Sequence, residues 1–398
     1  MDSALRSRLH DLTLDARHLL MAETADLLEG VYGLHGDGQF ESPETLPAIQ
    51  QLPEAAETRV RLERLLDDER IAGLTPRQAT AKLVKEVAYT WLNRVAAFKM
   101  LEARKLIRPS VSKGQQSSGF MLWLTEPDHE EEYARHEAGS LPVDALGEGP
   151  RDTAYRHYLL ALCGRMAAQV RALFDPDTLP SRLFPRARAL ADLLALVNAD
   201  DVAPAWGDDE TIGWIYQYFN EQEKAEVFAR LGKGAKITAS EIPAATELFT
   251  PRWIVRALVE NSLGRLWLQM HPESRLREQL AYLIPEVDAP SAALKPVREI
   301  TLLDPACGTM HFGLVAFDLF AEMYREEIDH AGETGWPEQP SVANADEIPA
   351  AIVEHNLFGI DIDLRAVQLS ALTLFLKAKS LNKSAKPRQH NLVCADVL

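Results

Sequence analysis

The feature that most constrains the fold is an apolar strand that ends in a tight turn of small residues and continues directly into a helix. Leu302 and Leu303 precede the turn Asp304-Pro305-Ala306-Cys307-Gly308-Thr309, and the amphipathic run MHFGLVAFDLFAEMYREEI follows it. A second strand, HNLFGIDID, a helix, RAVQLSALTLFLKAKSL, and a third strand, LVCADVL, come next. This alternation predicts right-handed crossovers in the parallel sheet of an α/β fold.

The front of the chain has helical spacing instead. Helices are predicted in RVRLERLLDDERIAG and in PRQATAKLVKEVAYTWLNRVAAFKMLEARKLI, which Arg108-Pro109-Ser110 ends. Two polar stretches, VSKGQQSSGF and HEEEYARHEAGSLPVDALGEGPRD, are predicted to be exposed connections around the short apolar piece FMLWL. Three more amphipathic helices follow, in TAYRHYLLALCGRMAAQVRALF, RARALADLLALVNA and ETIGWIYQYFNEQEKAEVFARL.

A chain of 398 residues is longer than one hydrophobic core usually serves. The pattern changes at a small polar link near residue 240, where one helix, PRWIVRALVENSLGRLW, precedes the strands. We therefore predict two domains, an all-helical domain over residues 1–240 and a sheet-containing domain over residues 241–398.

Composition restricts the partners of the chain. The net charge is −17, which is unfavourable for a surface that grips DNA phosphates, so only local basic patches or a portion outside this sequence could do so. Cys163, Cys307 and Cys394 show no paired spacing, so neither a disulfide framework nor a metal site is predicted. No stretch approaches the roughly 20 apolar residues of a membrane span, and the N-terminus does not look like a signal peptide. We expect a soluble, cytoplasmic protein without a membrane partner.

The turn after the first strand restricts the ligand. It is not G-x-G-x-x-G, so it lacks the glycines that pack a dinucleotide pyrophosphate against a helix, and a nicotinamide dehydrogenase is disfavoured. Asp304 is well placed to meet the methionine ammonium of S-adenosylmethionine, directly or through water. An equally good interpretation is that Asp304 only caps the turn.

Carboxylates also end the second and third strands. Asp361 stands where ribose hydroxyls are bound in doubly wound nucleotide folds, and Asp363 is expected to cap the next helix. Asp396 could accept a hydrogen bond from the adenine amine of a cofactor. The step from Asp304 to Asp361 exceeds the roughly 20 residues of a minimal unit, and the turn-rich surplus GETGWPEQPSVANADEIP is predicted to be an inserted loop.

Four segments together resemble a known family. TELFTP at residues 246–251, DPACGTMHF, GIDID and CADVL resemble, in this order, the cofactor motifs of amino-methyltransferases that act on DNA adenine. The resemblance covers about Thr246 to Leu398. In the front half, AYTWLNRVAAFKMLEARKLI and GWIYQYFNEQEK look like the large methyltransferases of BREX-type phage-defence systems, with relatives in DISARM and in type IIG restriction-modification.

The resemblance implies a Rossmann-like class I methyltransferase domain and S-adenosylmethionine as cofactor. It places Phe249, Thr250 and Pro251 over the methionine end of the cofactor. The remaining residues that it assigns to the cofactor site are Asp304, Ala306 and Gly308 in the loop, Asp361 with Ile362 at the ribose, and Asp396 at the adenine ring. Met310 departs from the family, which usually has a small residue, often Gly, at this position.

A second departure concerns catalysis. The family has an Asn/Asp-Pro-Pro-Tyr/Phe loop after the next strand, which accepts hydrogen bonds from the target amine and stacks on the flipped base. No such tetrapeptide occurs in the chain, and only Val397 and Leu398 follow Asp396. We therefore expect the N-terminal portion of a longer DNA methyltransferase, inactive alone, with its catalytic residues beyond Leu398.

Three alternatives stay open: a split enzyme, a noncatalytic cofactor-binding subunit for DNA sensing or complex assembly, and a methyltransferase of protein or RNA. The expected partners are double-stranded DNA and either other defence proteins or the missing C-terminal portion.

Two basic clusters and one aromatic stripe allow two interpretations each. The clusters are Lys99, Arg104, Lys105, Arg108 and Lys113, and Lys377, Lys379, Lys383, Lys386 and Arg388. They are either solvated helix ends or phosphate contacts. The stripe of Trp214, Ile215, Tyr218 and Phe219 is favoured as core or domain interface over a platform for base stacking.

Overall fold

The structure is a computed structural model that describes residues 1–138, 148–168, 170–232, 236–237, 241–246, 249–285 and 292–396. Contacts between Cα atoms divide it into two compact units, Met1–Asp208 and Asp209–Leu398. This division comes before the boundary predicted near residue 240, because the helical segment that follows Asp209 packs on helices of the second unit.

The described part of the first unit is helical, as predicted. Its α-helices are α1 Ser3–Tyr32, α2 Pro47–Gln51, α3 Pro53–Ile71, α4 Pro76–Ala103, α5 Ser118–Trp123, α6 Glu130–Ala138, α7 Pro150–Ala167, α8 Arg171–Phe174, α9 Leu179–Arg182 and α10 Ala187–Val197. Helices α1 and α10 both pack on α4. Helix α4 begins with a capping box, in which the side chains and backbone N–H groups of Thr75 and Gln78 bond each other reciprocally.

Helix α4 ends earlier than the sequence predicts, at Ala103. Lys105 adopts a left-handed φ of 56°, and the Leu106 N–H turns back to the Leu101 carbonyl at 2.9 Å. This arrangement satisfies the last carbonyl groups of a helix and stops it. A lysine at this position gives no signal of a helix end, because glycine is the usual residue there.

The acidic stretch that was predicted to be an exposed connection contains helix α6, so that prediction is wrong over Glu130–Ala138. The glutamates fill the first turn, and Arg135 and His136 lie in the last turn. Both placements stabilise the helix, because the charges oppose the partial charges of its dipole. Residues 139–147 of the same stretch lie outside the described residues.

The second unit combines helices with a small sheet. Its described α-helices are α11 Thr211–Phe219, α12 Glu221–Leu231, α13 Ile242–Thr246, α14 Arg252–Val259, α15 Arg265–Met270, α16 His311–His330, α17 Ile348–Ala351 and α18 Leu364–Leu381, and its strands are β1 Leu302–Asp304, β2 Leu357–Asp361 and β3 Asn391–Cys394. The strands are parallel in the order β1-β2-β3, which confirms the predicted parallel sheet. Helix α16 packs on β1, and α18 packs on β2 and β3.

Two predicted helices of this unit differ in detail. The helix expected over residues 210–231 is broken at Asn220, whose backbone has φ −98° and ψ 4° and whose side-chain amide donates to the Tyr216 carbonyl. The helix expected from Pro251 is continuous, but a π-helical turn at Glu260–Gly264 joins α14 to α15. Among the described residues, no helix is long and apolar enough to cross a membrane.

Asn356 fixes the start of the sheet. Its side chain is fully buried, accepts a hydrogen bond from the Tyr324 hydroxyl at 2.9 Å and donates to the carbonyls of Val297 and Ile300 at 2.8 Å each. One amide therefore joins α16, the segment before β1 and the segment before β2. Since buried polar groups are costly without partners, this network holds both strands in register.

The predicted insertion after α16, from Gly332 to Pro349, is a loop only as far as Asn344. Its end is helical instead, with a 3₁₀ turn at Ala345–Glu347 and the start of α17 at Ile348. Trp336 holds it against the helices. Its indole stacks on the rings of His271, at a centroid distance of 3.9 Å, and of His330, at 4.8 Å. The insertion is thus packed against the protein through Trp336, near its beginning.

Candidate functional site at the carboxyl edge of the sheet

The turn between β1 and α16 is bonded to the neighbouring strand and helix. The Cys307 N–H donates to the Ile360 carbonyl at 3.0 Å, and the Gly308 N–H donates to Asp361 Oδ2 at 2.9 Å. The hydroxyl of Ser370, which is fully buried in α18, donates to the Gly308 carbonyl at 2.8 Å. Two backbone N–H groups and one backbone carbonyl of the turn are therefore hydrogen-bonded to neighbouring elements.

Gly359 in β2 lets the turn come this close. A Cβ atom at Gly359 would lie 2.9 Å from both Cys307 Sγ and Leu392 Cδ2, closer than non-bonded atoms pack in a protein interior. Sequence reasoning missed the roles of Gly359 and Ser370. For Gly359 a signal existed, because a glycine inside an apolar strand often marks the close approach of another backbone.

Open space lies over the same turn at Gly308. This residue has a φ of 51°, and a Cβ atom built on it would meet no atom within 4 Å. The start of α16 lies just beyond, where the first N–H groups of a helix have no partner within the helix. A ligand could therefore approach the backbone of the turn closely.

Asp304 and Asp361 border this space with partly buried carboxylates. Burial raises the pKa of Asp361 above its usual range, although the N–H groups of Asp363 and Gly308 oppose the shift. The pKa of Asp304 is also raised, first by burial and further by the charge of Asp361, with the Ala306 N–H opposing. Both sites would therefore favour a positively charged group beside them.

The two carboxylates differ in their protein contacts. Asp361 accepts from the Asp363 N–H through Oδ1 and from the Gly308 N–H through Oδ2, at 2.9 Å each. Asp304 accepts through Oδ1 from the Ala306 N–H at 3.1 Å, as the capping interpretation expects. Each carboxylate oxygen can accept more than one hydrogen bond, so these contacts leave capacity for a ligand.

Asp363 has a structural role, as predicted. It caps α18 by accepting from the Arg365 N–H. Its Oδ2 also accepts from the Tyr216 hydroxyl at 2.9 Å and from the Arg365 guanidinium at 2.8 Å. Burial acts to raise the pKa of Asp363, but the hydrogen bonds and charge of Arg365 prevail and lower it.

Met310 occupies a conformation that favours glycine. Its backbone is left-handed, with φ 68° and ψ 34°, at the N-cap of α16, and its side chain is fully buried. Gly313 makes room for that side chain, because a Cβ atom at Gly313 would lie 2.6 Å from Met310 Cγ. Met310 and Gly313 therefore form one packing unit at the start of α16.

Phe249 lies against the same helix start. Its ring centroid is 4.0 Å from that of His311, the first residue of α16, and 4.6 Å from that of Trp214 in α11. Its backbone N–H donates to Gln217 Oε1 at 2.8 Å. The structure thus brings the Phe-Thr-Pro segment next to the turn after β1. Residues 247 and 248 of the predicted motif lie outside the described residues.

The other predicted site residues lie along these segments. Thr250 is half-buried, Pro251 is exposed as the N-cap of α14, and Ala306 and Ile362 are exposed. Asp396 is exposed just beyond β3. The Ala395 N–H continues the pairing of β3 with β2 by donating to the Asp361 carbonyl at 3.0 Å, so Asp396 follows the same edge of the sheet as Asp361.

The basic clusters are partly structural. Lys99 donates to Ser112 Oγ and Asn198 Oδ1, Arg104 donates to the Trp206 carbonyl, and Lys377 pairs with Asp209 and Asp318. The cluster members that are exposed are Lys105, Arg108, Lys113, Lys383, Lys386 and Arg388. Each cluster therefore has fewer exposed positive charges for phosphate than the sequence suggests.

The aromatic stripe divides between two environments. Ile215 and Phe219 are fully buried, which confirms a core role for them. Trp214 and Tyr218 are half-buried and stack on each other at a centroid distance of 5.5 Å. Trp214 also contacts Phe249, so this side of α11 borders the candidate site.

Comparison with known proteins gives two relatives with the same description. The chain is 33% identical over 336 residues to the adenine-specific methyltransferase BrxX of Escherichia coli O9:H4 (strain HS), an alignment that covers 78% of this chain and 26% of the relative. It is 32% identical over 342 residues to the adenine-specific methyltransferase PglX of Lacticaseibacillus casei (strain Zhang), over 77% of this chain and 26% of that relative. No protein-family model matches the chain. The resemblance to adenine-specific methyltransferases is therefore confirmed, for a chain that spans about a quarter of the length of these relatives.

Proposed function

We propose that this chain binds S-adenosylmethionine at the carboxyl edge of its sheet, as part of an enzyme that methylates the exocyclic amine of adenine in double-stranded DNA. The observation that carries the proposal is the turn after β1, bonded to Asp361 and flanked by Asp304 and Phe249. The similarity to two proteins named adenine-specific methyltransferases supports the reaction. We place this enzyme in a phage-defence or restriction-modification system of the cytoplasm.

The residues present fit this cofactor. S-adenosylmethionine carries an ammonium and a sulfonium charge, and the site has two partly buried carboxylates whose pKa values are raised. A nearby cation favours the ionised form of such groups and so offsets the cost of burying them. The open space at Gly308 would let the ligand reach the backbone of the turn.

Each residue would hold one part of the ligand. Asp304 would bind the ammonium, directly or through water, and Asp361 would accept from the ribose hydroxyls. Asp396 would accept from the adenine amine. The remaining contacts are assigned to Phe249, Thr250 and Pro251 over the methionine end, to Ala306 and Gly308 in the turn, and to Ile362 beside the ribose.

The chemistry follows from positioning. The cofactor supplies a methyl group for direct displacement, and the contribution of this chain is to orient it and exclude water, which can lower a barrier substantially. The chain contains no Asn/Asp-Pro-Pro-Tyr/Phe tetrapeptide, so we assign no catalytic residue within it. We propose that residues 241–398, together with the segment from Asp209 that packs on them, form a Rossmann-like methyltransferase domain. The rest of the predicted region 1–240 would be a separate helical domain, and DNA and other defence proteins would contact the whole enzyme.

Calorimetric titration of the chain with S-adenosylmethionine tests the proposal. We expect the parent to bind and Asp361→Ala to lose binding. Because Asp361 also accepts hydrogen bonds from the turn, Asp304→Asn is the cleaner variant, since it removes a charge and keeps an acceptor oxygen. Glu338→Ala, an exposed carboxylate of the insertion, serves as the matched control. A parent that does not bind, or an Asp304→Asn variant that binds as the parent does, would refute the assignment.

A noncatalytic cofactor-binding subunit is the second candidate, because the same cofactor site would serve it without a catalytic residue in this chain. Transfer of a labelled methyl group to adenine-containing duplex DNA distinguishes the two, provided that cofactor binding is intact. Transfer by this chain alone would exclude the noncatalytic role. Binding without transfer, restored by adding the remainder of the protein, would assign the chain to a larger enzyme.

A further inference from the structure

Helix α11 precedes the recognised cofactor motifs, yet it contacts the Phe-Thr-Pro segment at two points. Gln217 in α11 accepts the Phe249 N–H through Oε1 at 2.8 Å, across 32 residues of sequence. The Phe249 ring also lies against Trp214, one helical turn before Tyr218. One face of α11 thus holds both the backbone and the ring of Phe249.

Gly213 is the closest point of this contact. A Cβ atom there would overlap Phe249 Cε2 and would lie 2.9 Å from Phe249 Cζ and 2.8 Å from Thr309 Oγ1. Thr309 belongs to the turn after β1, so the surface of Gly213 faces two parts of the candidate site at once. A side chain larger than hydrogen at this position must displace one or both of them.

The same helix also reaches the end of the second strand. The Tyr216 hydroxyl donates to Asp363 Oδ2 at 2.9 Å, and Asp363 in turn donates its N–H to Asp361 Oδ1. Three residues within little more than one turn of α11 therefore connect this helix to the rest of the site. Gly213 and Gln217 contact the Phe-Thr-Pro segment, Gly213 also faces the turn after β1, and Tyr216 bonds to the loop after β2.

We propose that α11 is a positioning element of the cofactor site, in which Gly213 and Gln217 hold Phe249 against the start of α16. This inference rests on the proposed function, because it concerns the same site. According to this inference, residues that precede the recognised motifs contribute to the affinity for S-adenosylmethionine. Phe249 contacts the ligand in this account, whereas Gln217 acts through Phe249, and Gly213 acts through Phe249 and Thr309.

Two variants with matched controls test the positioning role. Gln217→Leu removes the acceptor of the Phe249 N–H, and Gln217→Glu keeps an acceptor oxygen at the same distance along the side chain. Gly213→Ala adds the obstructing methyl group. Gly164→Ala in α7 is the control for replacing a helical glycine, because a Cβ atom at Gly164 would meet nothing within 4 Å.

The first measurement needs no ligand. Hydrogen exchange of the Phe249 amide should become faster in Gln217→Leu and Gly213→Ala, while the unfolding temperature is retained. The second measurement is the affinity for S-adenosylmethionine by calorimetry. The affinity should fall about tenfold in Gln217→Leu and in Gly213→Ala, whereas Gln217→Glu should retain most of the parent's affinity. A background of Phe249→Leu with Thr309→Ala removes both the ring and the hydroxyl that the methyl group meets. In that background Gly213→Ala should weaken binding by less than about threefold.

The outcomes separate the two proposals. If the parent binds and the variants exchange and bind as the parent does, α11 has no positioning role and the proposed function stands. If the loss of affinity in the variants is fully explained by a smaller fraction of folded protein, α11 has only a structural role and the inference is overturned. If the parent does not bind, the proposed function fails and the inference fails with it.

Discussion

Gly313→Ala should destabilise the second unit in the native background and stabilise it once Met310 is replaced by glycine. A Cβ atom at Gly313 would lie 2.6 Å from Met310 Cγ and 2.8 Å from Met310 Cε. Overpacking of this kind costs about 1–3 kcal/mol, against a gain of about 1 kcal/mol for replacing a helical glycine by alanine. The single variant should therefore lower the free energy of unfolding by about 1 kcal/mol.

Met310→Gly has two opposing effects of its own. The left-handed backbone of Met310, with φ 68°, is released from a strain of about 1 kcal/mol. The loss of a fully buried methionine side chain costs about 2–5 kcal/mol. The net effect is a loss of about 1–4 kcal/mol. In this background the methyl group added by Gly313→Ala meets no methionine, so it should raise the free energy of unfolding by about 1 kcal/mol.

Native-state hydrogen exchange of the α16 amides at increasing denaturant measures the free energy of unfolding of that helix. A local measurement is needed because a chain with two compact units need not unfold in one step. Gly164→Ala, with no atom near its added Cβ and followed at the amides of α7, gives the effect of helix propensity alone. The reasoning is refuted if Gly313→Ala stabilises α16 equally in both backgrounds. That result would show that Gly313 does not accommodate Met310.

Three further changes test other parts of the second unit. Because the pKa of Asp304 is raised, its contribution to stability is present below the ordinary aspartate range and is lost as the pH rises through its own pKa. Asp304→Asn should therefore stabilise the unit increasingly in thermal melts as the pH rises from about 4, and a difference independent of pH would contradict this. Asn356→Leu should lower the free energy of unfolding by about 3 kcal/mol or more, because the Tyr324 hydroxyl and two carbonyls lose their buried partner; a loss below about 1 kcal/mol in denaturant titrations would mean that these groups find other partners. Trp336→Ala should open the insertion to limited proteolysis by removing its stacks on two histidine rings, and an unchanged cleavage pattern would show that the stacks do not hold the loop.

The sheet and the turn after β1 could be predicted because their signals are local. Apolar strands, a turn of small residues and a helix beginning at His311 are adjacent in the chain, and their alternation allows few topologies. The capping role of Asp363 is equally local, since its partner is two residues away. By contrast, the end of α4 at Lys105 could not be predicted, because a left-handed lysine depends on its surroundings rather than on its own preference.

The packing of the site could not be predicted because it depends on contacts between distant segments. Gln217 and Phe249 are 32 residues apart, and Gly308 and Ser370 are 62 residues apart. Neither pair has a spacing that a single sequence can reveal. The same reason explains why the boundary predicted near residue 240 differs from the division after Asp208. The change of pattern near residue 240 does not indicate which unit α11 contacts.

The carboxylates at the sheet edge differ in their contacts and in the direction of their pKa shifts. Asp363 has the contacts of a structural carboxylate, and Arg365 lowers its pKa. Asp304 and Asp361 have raised pKa values, and the charge of Asp361 contributes to the shift at Asp304. Two partly buried carboxylates that repel each other destabilise a ligand-free fold near neutral pH. A purely structural role would be served as well by asparagine, which can also accept the Ala306 N–H. A cation beside Asp304 would favour the ionised carboxylates and offset the cost of burying them, as the proposed site requires.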